Sequence, residues 1–255
     1  FIFLCIGLLY TNSQITVAAQ DASAWNINEK TSVRLISSIP SIGHNQIIKL
    51  GLQFKMSPNW KIYWRSPGDA GFPPSLDWEK SKNLKQIDFG WPLPTRFSVS
   101  GIQTIGYKNE VVFPLRAKII DHTRKLELRA NLDYLACNEI CIPYKAKLSL
   151  NIPSGTSVDS FPYNQSLINQ YISKIPGDGT AHKLEITGIT VGNRFIKTDK
   201  NTRQGFITVK AKSKLPFINP DIFLEGPELI FFGMPELTLS RNKLSATFLV
   251  PVTEE

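Results

Sequence analysis

The chain has 255 residues, of which 42% are hydrophobic and 11% aromatic, and this is enough apolar material for one large or two ordinary folded domains. Its formal net charge is +8, but the lysines and arginines stand singly and never form a run of five or six. Nucleic-acid grooves need clustered positive charge. We therefore expect no nucleic-acid partner, and we interpret the charge as solvated outer faces of strands.

The amino-terminal segment has the pattern of a signal peptide. Phe1 to Tyr10 form an apolar run, and a small-residue pattern suited to cleavage ends at Ala19. The run is too short to cross a bilayer, which takes about 20 apolar residues. Residues 1–19 are predicted to be a signal peptide, truncated at its start because an initiator Met and a basic leader are missing. Cys5 is interpreted as an apolar residue removed with it, and export would place the other cysteines in an oxidising compartment.

Residues 25–153 carry the period-two alternation of half-buried antiparallel strands and are predicted to form a first β-sandwich domain. The segment Ser66–Pro74 (SPGDAGFPP) contains two glycines and three prolines, so we expect an ordered loop that does not continue a ladder. The aromatic residues around it, Tyr63 among them, are interpreted as packing beneath the loop rather than as a ligand cage.

A second apolar segment, Phe97 to Tyr107 (FSVSGIQTIGY), is punctuated by glycines and carries no charged side chain. Its large apolar side chains include Phe97, Ile102, Ile105 and Tyr107. We interpret it as a flexible segment that leaves the ladder, and such a segment often covers a functional site.

The rest of the chain is predicted to contain a linker and a second domain. Apolar residues within 162–176 follow helical spacing between two prolines, so residues 154–179 are predicted to be a linker with a helix of about three turns. Residues 180–255 show about six or seven short strands, one of them at 222–224, which is typical of a second β-sandwich domain. The chain stops directly after a predicted strand, so we expect the natural protein to continue beyond residue 255.

Two of the three cysteines lie in a segment whose geometry can be predicted. Apolar and polar residues alternate over 126–136 and again over 142–152, which predicts two half-buried strands. Residues 138–140 are left as a turn, so the strands are predicted to close as a β-hairpin with Cys137 and Cys141 at their last positions. Both cysteines fall on the polar side of the pattern, so we expect them to face away from the core.

A disulfide between Cys137 and Cys141 is geometrically feasible. Residues facing each other in an antiparallel pair have Cα atoms about 4.5 or 5.5 Å apart, and a disulfide needs about 4.4–6.8 Å. Closing so short a ring removes only about 2 kcal/mol of chain entropy, against about 4.7 kcal/mol for a ring of about 100 residues. Such a bond is a poor staple but an accessible redox pair. A surface disulfide that simply pins the hairpin is an equal alternative on geometry alone, because both kinds occur in exported proteins.

Other chemistry has little support in the sequence. A zinc site needs about four nitrogen or sulfur ligands, and the single C-x3-C stands without a second pair or a neighbouring histidine, so no metal and no cofactor are expected. The sequence also lacks a P-loop, a dinucleotide fingerprint and a G-x-S-x-G motif. Thiol–disulfide exchange remains, because it requires only two accessible cysteines held close together.

Two acidic residues lie near the cysteines in the predicted hairpin. Asp133 is on the same predicted face as Cys137, and Glu139 is in the turn. Negative charge near the sulfurs raises a thiol pKa and slows attack by the reduced pair. We therefore predict that the pair reacts mainly when a partner is docked.

Three blocks of the sequence resemble a known family: WKIYWRSPGDAGFPPSLDW, GWPLPTRFSVSGIQTIGYKNEVVFP and LDYLACNEICIPYKAKLSLNIP. They are similar to the amino-terminal periplasmic module of the DsbD and ScsB thiol:disulfide interchange proteins, and most similar to the ScsB-like branch. The resemblance covers residues 25–153 strongly and extends loosely into the second domain through FLEGPE and LSATFLVPV.

The resemblance implies an immunoglobulin-like sandwich in an exported protein. The expected fold class is all-β, with two tandem immunoglobulin-like antiparallel sandwiches joined by a short helical linker. The family passes electrons from cytoplasmic thioredoxin through a transmembrane domain and a thioredoxin-like domain to this module. The module then reduces periplasmic disulfide proteins of the thioredoxin fold. The expected location is the periplasm, with the full-length protein anchored in the inner membrane by segments downstream of this chain.

The resemblance also assigns residues. Cys137 and Cys141 would be the catalytic redox pair, with Cys141 entering the mixed disulfide, although DsbD proper has a longer insert between its cysteines. The segment Phe97–Tyr107 would be the cap loop that shields the active site. Four further residues are predicted to surround that site: Asp133, Tyr134, Glu139 and Tyr144.

A second hypothesis belongs to a different class of protein. The chain could be an exported β-sandwich binding or adhesion module in which the hairpin disulfide is structural and the loop aromatics contact a ligand. Because this chain lacks the transmembrane and thioredoxin-like portions, it would not move electrons across a membrane alone under either hypothesis.

Overall fold

The computed structural model describes residues 20–99, 102–156, 159–192, 196–197, 202–227 and 229–254. The predicted signal peptide, residues 1–19, lies outside these ranges. Among the helices of the described ranges, none is long and apolar enough to cross a membrane.

Up to residue 152, the regular structure of the described chain consists of strands: β1 (Asn26–Ile27), β2 (Thr31–Ser37), β3 (Ile47–Met56), β4 (Lys61–Gly68), β5 (Ser75–Asp77), β6 (Leu84–Phe89), β7 (Thr95–Val99), β8 (Ile102–Lys108), β9 (Glu110–Ile119), β10 (Leu126–Cys137) and β11 (Cys141–Ile152). They form two antiparallel sheets. One has the order β1-β2-β3-β9-β6, and the other has the order β11-β10-β4-β8-β7, with β5 paired to β10. The predicted antiparallel β-sandwich is confirmed.

The core lies between the two sheets and is filled by alternate residues of both. Leu50, Leu52 and Phe54 of β3 and Leu128 and Leu132 of β10 are at most 1% exposed and belong to one cluster. Successive side chains of a strand point to opposite faces, so the alternation in the sequence is what fills this core. Burying each of these side chains contributes about 1.5–3 kcal/mol. A register slip would expose them, so the core fixes the register that positions the cysteines.

Strands β10 and β11 form a long hairpin in the predicted register. The pairing starts with Leu126 opposite Ile152 and continues without a shift to Cys137 opposite Cys141. Residues 138–140 form the turn between them. The predicted hairpin, with the cysteines at its last two strand positions, is therefore confirmed.

The segment Phe97–Tyr107 differs from the prediction, because it does not leave the ladder. Its described residues, 97–99 and 102–107, lie in β7 and β8, which pair with each other, and β8 also pairs with β4. A Cβ atom at Gly106 would overlap the backbone carbonyl of Ile62, so this glycine allows β8 to approach β4. Gly106 was interpreted as a source of flexibility, but in the structure it allows two strands to pack closely.

The predicted helix of the linker is α1 (Pro162–Ile172), with a proline in its first turn. Its buried residue Ile168 packs against Ile36 of β2 and Val112 of β9. Ile36 and Val112 lie outside the central cluster, on the outer face of the sheet that contains β2 and β9. The helix therefore adds a third layer to the sandwich as well as continuing the chain.

A 3-10 turn, Thr180–His182, precedes the remaining strands: β12 (Leu184–Val191), β13 (Ile196–Lys197), β14 (Arg203–Ser213), β15 (Ile230–Phe232), β16 (Glu236–Leu239) and β17 (Ser245–Glu254). In the described residues they form an antiparallel sheet of order β12-β14-β17-β15, with β13 beside β14 and β16 beside β17. The predicted all-β fold class is confirmed. The domain boundaries at 153, 154–179 and 180 stay predictions.

One predicted strand of this second part is wrong. Residues 222–224 belong to no strand of the described chain. Ile222 and Leu224 pack against the core of the second part, whereas Phe223 packs against the core of the first. The three consecutive apolar side chains are therefore divided between two cores, and they do not form part of a sheet.

A candidate redox site at the end of the cysteine hairpin

The candidate site lies at the end of the β10–β11 hairpin. Cys137 and Cys141 form a disulfide, with their Cα atoms 4.1 Å apart. The two residues are direct cross-strand partners because the pairing of the hairpin runs without a shift to its last position. The disulfide that the sequence showed to be geometrically feasible is therefore present.

The two cysteines differ in exposure. Cys141 is exposed, whereas Cys137 is only 1% exposed. Cys137 is not part of the sandwich core, to which its neighbour Ala136 belongs, so it keeps the predicted outer face. The prediction that both cysteines are accessible is wrong for Cys137, because β4 runs beside it and pairs with it. Cys141 is therefore the more accessible residue of the pair.

Strand β4 places two side chains beside the cysteines. Lys61 is the cross-strand partner of Cys137. Two positions further, the hydroxyl oxygen of Tyr63 lies 3.7 Å from Sγ of Cys141. Burial raises the pKa of Tyr63, so its hydroxyl is protonated at neutral pH and available as a hydrogen-bond donor to sulfur. Burial also lowers the pKa of Lys61.

A cover formed from two segments lies over these β4 side chains. The Phe97 ring centre is 5.3 Å from Nζ of Lys61. The loop after β4 approaches Tyr63 so closely that a Cβ atom at Gly71, which has a φ of +102°, would overlap the tyrosine ring. We call this loop, residues 69–74, the β4 loop.

The β4 loop is joined to the β7–β8 hairpin by two hydrogen bonds. The backbone N–H of Gln103 donates to the Asp69 carboxylate at 2.8 Å, and the backbone N–H of Asp69 donates to the Gln103 carbonyl at 2.9 Å. The loop and the hairpin therefore hold each other in place beside the disulfide.

The four residues predicted to shield the pair lie in different surroundings. Phe97 is partly buried and lies next to Lys61. Ile105 and Tyr107 are buried in the sandwich core, and the Tyr107 hydroxyl donates to the Pro92 carbonyl at 2.7 Å. Burial raises the pKa of Tyr107. Ile102 is 48% exposed at the start of β8. A shielding role of this segment stays a prediction, and Phe97 is the member placed to fulfil it.

The four residues predicted to surround the site are also separated. Tyr134 is fully buried on the core face, where its hydroxyl lies 2.6 Å from Oγ1 of Thr31, and the Tyr144 ring packs on it with centroids 5.6 Å apart. Asp133 is exposed and pairs with Lys145 at 3.1 Å. Glu139 is exposed in the turn.

This placement changes the electrostatic expectation for the sulfurs. The two tyrosines lie on the opposite face because their sequence numbers differ in parity from Cys137. Asp133 has a cationic partner of its own, and the direct neighbour of Cys137 is Lys61. The residue opposite Cys137 on β4 is therefore basic, whereas the hairpin alone indicated acidic neighbours.

Lys61 and Tyr63 were missed as site residues by sequence reasoning. Their spacing of two places them on one face of a strand, but strand pairing decides which strand lies beside the cysteines. A single sequence does not contain that pairing. The hairpin partner of Cys137 was predictable because a short turn joins the two strands, whereas β4 is separated from β10 by five other strands in the chain.

In the described part of the chain, no group of three or more His, Cys, Asp and Glu residues is close enough to hold a metal ion. The groups observed at the candidate site are the two sulfurs and the side chains that β4 and the cover place around them.

A segment of the second part of the chain, residues 221–225, contacts the first part beside β4 and β7. Arg96 of β7 pairs with Asp221 at 3.0 Å, and Arg65 of β4 pairs with Glu225 at 2.6 Å. Between these ion pairs, the Phe223 ring lies 6.0 Å from the ring of Trp64. The strands that carry the site residues Tyr63 and Phe97 are thus also the strands that residues 221–225 contact.

Comparisons with known proteins find two matching domain families and one similar structure. Residues 37–153 match the family model of thiol:disulfide interchange protein DsbD, N-terminal, and residues 175–255 match a domain family of unknown function. The structure is similar to the crystal structure of the N-terminal periplasmic domain of ScsB from Proteus mirabilis, with a TM-score of 0.66 and 26% sequence identity. That match covers 91% of this chain and 83% of the other. A search of curated proteins found no match. The chain therefore carries, in residues 37–153, an N-terminal domain of the DsbD and ScsB family of thiol:disulfide interchange proteins.

Proposed function

We propose that the chain is a thiol–disulfide exchange module that relays electrons through Cys137 and Cys141. The observation that carries the proposal is the pairing of one exposed and one buried cysteine in a single disulfide. Exchange proceeds through attack of a thiolate on one accessible sulfur and release of the other. A pair with unequal exposure determines which sulfur has each role.

In the proposed cycle, Cys141 forms the mixed disulfide and Cys137 resolves it. A donor thiolate attacks Sγ of Cys141, the bond between the two cysteines breaks, and Cys137 leaves as a thiolate. A second donor thiol then displaces Cys141, so the donor is oxidised and the pair is reduced. In the acceptor step, the Cys141 thiolate attacks an acceptor disulfide and Cys137 displaces the acceptor sulfur. The acceptor dithiol leaves, and the disulfide of the module forms again.

The family supports the identity of the donor and acceptors. We infer that the donor is a thioredoxin-like domain of the same full-length protein, supplied through its membrane-embedded portion. The acceptors are disulfide proteins of the thioredoxin fold in the periplasm. The similar ScsB structure is that of a periplasmic domain, and it supports the same location for this chain.

Measuring the reduction potential of the pair tests the proposal. The chain is equilibrated with glutathione buffers, its thiols are trapped by alkylation, and the products are weighed. We expect a value between about −120 and −270 mV, the range of exchange proteins, because structural disulfides of secreted proteins lie below about −300 mV. A value below −300 mV would contradict the proposal and favour a structural disulfide in an exported binding module.

Two serine variants separate the roles of the cysteines. Cys137→Ser retains the exposed thiol but removes the resolving one, so it should accumulate a mixed disulfide with an oxidised thioredoxin-fold protein. Cys141→Ser should form none, because the remaining sulfur is buried. Mixed disulfides are detected by non-reducing electrophoresis and mass spectrometry in a Cys5→Ser background. Equal trapping by both variants would contradict the assignment.

A further inference from the structure

Lys61 lies beside the buried sulfur of the pair. It is the cross-strand partner of Cys137 on β4, and it is followed along the row by Lys108 of β8. Directly opposed residues in an antiparallel pair have Cβ atoms about 4.5–5.5 Å apart on the same face of the sheet. Lys61 and Cys137 are therefore neighbours on the outer face of the second sheet.

The lysine is buried without an ionic partner. Only 6% of Lys61 is exposed, and its Nζ lies 5.3 Å from the ring centre of Phe97. It takes part in none of the ion pairs within the described ranges. A buried cation without a counter-ion is unfavourable, because the lost hydration is not replaced. The aromatic ring compensates only in part, since a cation–π contact contributes about 0.5–2 kcal/mol.

Among the charged groups around Cys137, Lys61 is the one directly opposite it on β4. On β10 and β11, Asp133 is exposed and pairs with Lys145. Glu139 in the turn is exposed, and Lys108 on β8 is exposed.

The β4 loop and β7, the remaining elements beside the site, contribute one acidic residue. In the β4 loop, Asp69 accepts the backbone N–H of Gln103. Strand β7 contributes the uncharged ring of Phe97. A thiolate at Cys137 would thus have a buried lysine directly opposite it on β4, while the acids of the surrounding elements are exposed or have partners.

We propose that Lys61 is a positioning residue of the exchange reaction, which stabilises the thiolate of Cys137 whenever the disulfide is open. This inference rests on the proposed function, because a thiolate exists at Cys137 only when the pair is reduced or in a mixed disulfide. The effect is reciprocal: opening the disulfide supplies the buried ammonium with the counter-ion that it otherwise lacks.

The proposed stabilisation acts in both directions of the cycle. When a donor thiolate attacks Cys141, the sulfur–sulfur bond breaks and Cys137 departs with the electron pair, and a stabilised thiolate is a better leaving group. When the pair reduces an acceptor, the Cys137 thiolate attacks Sγ of Cys141, and the acceptor sulfur leaves with the electron pair. A larger thiolate fraction at Cys137 increases the rate of that step near neutral pH.

The test measures the thiol pKa of Cys137 directly. In the Cys5→Ser, Cys141→Ser background, Cys137 is the remaining thiol, and thiolate absorbance at 240 nm is followed against pH. We expect a pKa below the ordinary thiol value of about 8.5. Lys61→Met, which keeps the length of the side chain and removes its charge, should raise that pKa by about one unit. Lys61→Arg should restore most of the shift.

The matched control is Lys49→Met, which removes an exposed lysine from β3 in the other sheet. It should leave the Cys137 pKa unchanged. The inference is overturned if Lys61→Met leaves the pKa unchanged, or if Lys49→Met shifts it as much. Near-ultraviolet circular dichroism of each variant shows whether the packing around the site is retained, and Lys61→Gln, which also removes the charge, provides the readout if Lys61→Met fails to fold.

A second readout distinguishes charge from packing in the protein with both cysteines. The equilibrium constants of the parent and Lys61→Met with glutathione should coincide at pH 5, where both thiols are protonated, and should diverge as the pH rises through the thiol pKa values. A purely structural role would separate them equally at every pH. Neither measurement needs a physiological partner. Failed exchange with thioredoxin-fold proteins would therefore contradict the proposed function without deciding the role of Lys61. That role is tested by the thiol pKa and by the pH dependence of the glutathione equilibrium.

Discussion

At the scale of single residues, the difference between Cys137 and Cys141 is set by their neighbours and not by the hairpin. The hairpin places both at equivalent ends of paired strands. Strand β4 then pairs with β10 on the side of Cys137, while Cys141 lies on β11, the edge strand of the sheet. An edge position leaves one side of a strand open to a partner. The exposed sulfur is therefore on the side from which another protein can approach.

Tyr63 provides a residue-scale prediction. Its hydroxyl lies 3.7 Å from Sγ of Cys141, so it can stabilise the thiolate of that cysteine by a hydrogen bond. Tyr63→Phe should raise the Cys141 thiol pKa by about one to two units, since hydrogen bonds to charged groups contribute about 1.5–3 kcal/mol and one pKa unit corresponds to about 1.4 kcal/mol. The measurement is the alkylation rate of Cys141 against pH in Cys137→Ser.

The control for this substitution is Tyr163→Phe on α1, where the side chain is 69% exposed. It should leave the alkylation profile unchanged. A Cys141 pKa that is the same in Tyr63→Phe and in the parent would show that the hydroxyl does not reach the thiolate.

At the scale of elements, the β4 loop and the β7–β8 hairpin form one cover. Each contributes a contact with a β4 side chain, since Phe97 lies over Lys61 and Gly71 over Tyr63. The two hydrogen bonds between Asp69 and Gln103 join them. Movement of either element would therefore disturb the packing of the other beside the disulfide.

Gly71→Ala tests the element scale. A Cβ atom there would overlap the Tyr63 ring, and the φ of +102° is unfavourable for alanine. We expect the β4 loop to move away from Tyr63, with a loss of about 1–3 kcal/mol of unfolding free energy and faster alkylation of the reduced pair. Urea unfolding and timed alkylation measure the two effects. Gly177→Ala is the control, because a Cβ atom at Gly177 meets nothing within 4 Å. Equal effects of both substitutions would contradict the close packing of the loop.

At the scale of the whole molecule, residues 221–225 connect the two cores. Phe223 packs on the first core, while its neighbours Ile222 and Leu224 pack on the second. The ion pairs at either end are unequal. The side chain of Arg96 is 11% exposed and that of Arg65 is 45% exposed. Arg96 also donates to the carbonyl of Ile222 at 2.7 Å.

This inequality gives a prediction about the connection. Arg96→Met removes a largely buried cation together with two kinds of hydrogen bond, so it should lower the unfolding free energy by about 1–3 kcal/mol. Arg65→Met removes an exposed pair and should change it by less than about 1 kcal/mol. Urea unfolding followed by tryptophan fluorescence, which includes Trp64 at the contact, measures both. A larger loss of unfolding free energy in Arg65→Met than in Arg96→Met would contradict the inference that the Arg96–Asp221 pair stabilises the connection more.

The sequence alone was sufficient for the features that depend on local pattern. Period two in side-chain polarity predicted the strands, and a three-residue turn predicted the hairpin register, because neighbouring strands joined by a short turn have little freedom in how they pair. The spacing of the cysteines then led to their disulfide. The motifs in residues 25–153 also led to the family, which the comparisons support over residues 37–153.

The tertiary structure decided everything that depends on pairing between distant strands. Lys61 lies beside Cys137 because β4 pairs with β10, and this pairing closes a chain separation of 76 residues that local pattern does not encode. The burial of Cys137, the position of Tyr63 at Cys141 and the pairing of β7 with β8 also depend on contacts between strands. Phe223 is the clearest example, because three consecutive apolar residues at 222–224 indicate burial but do not specify which of the two cores receives each side chain.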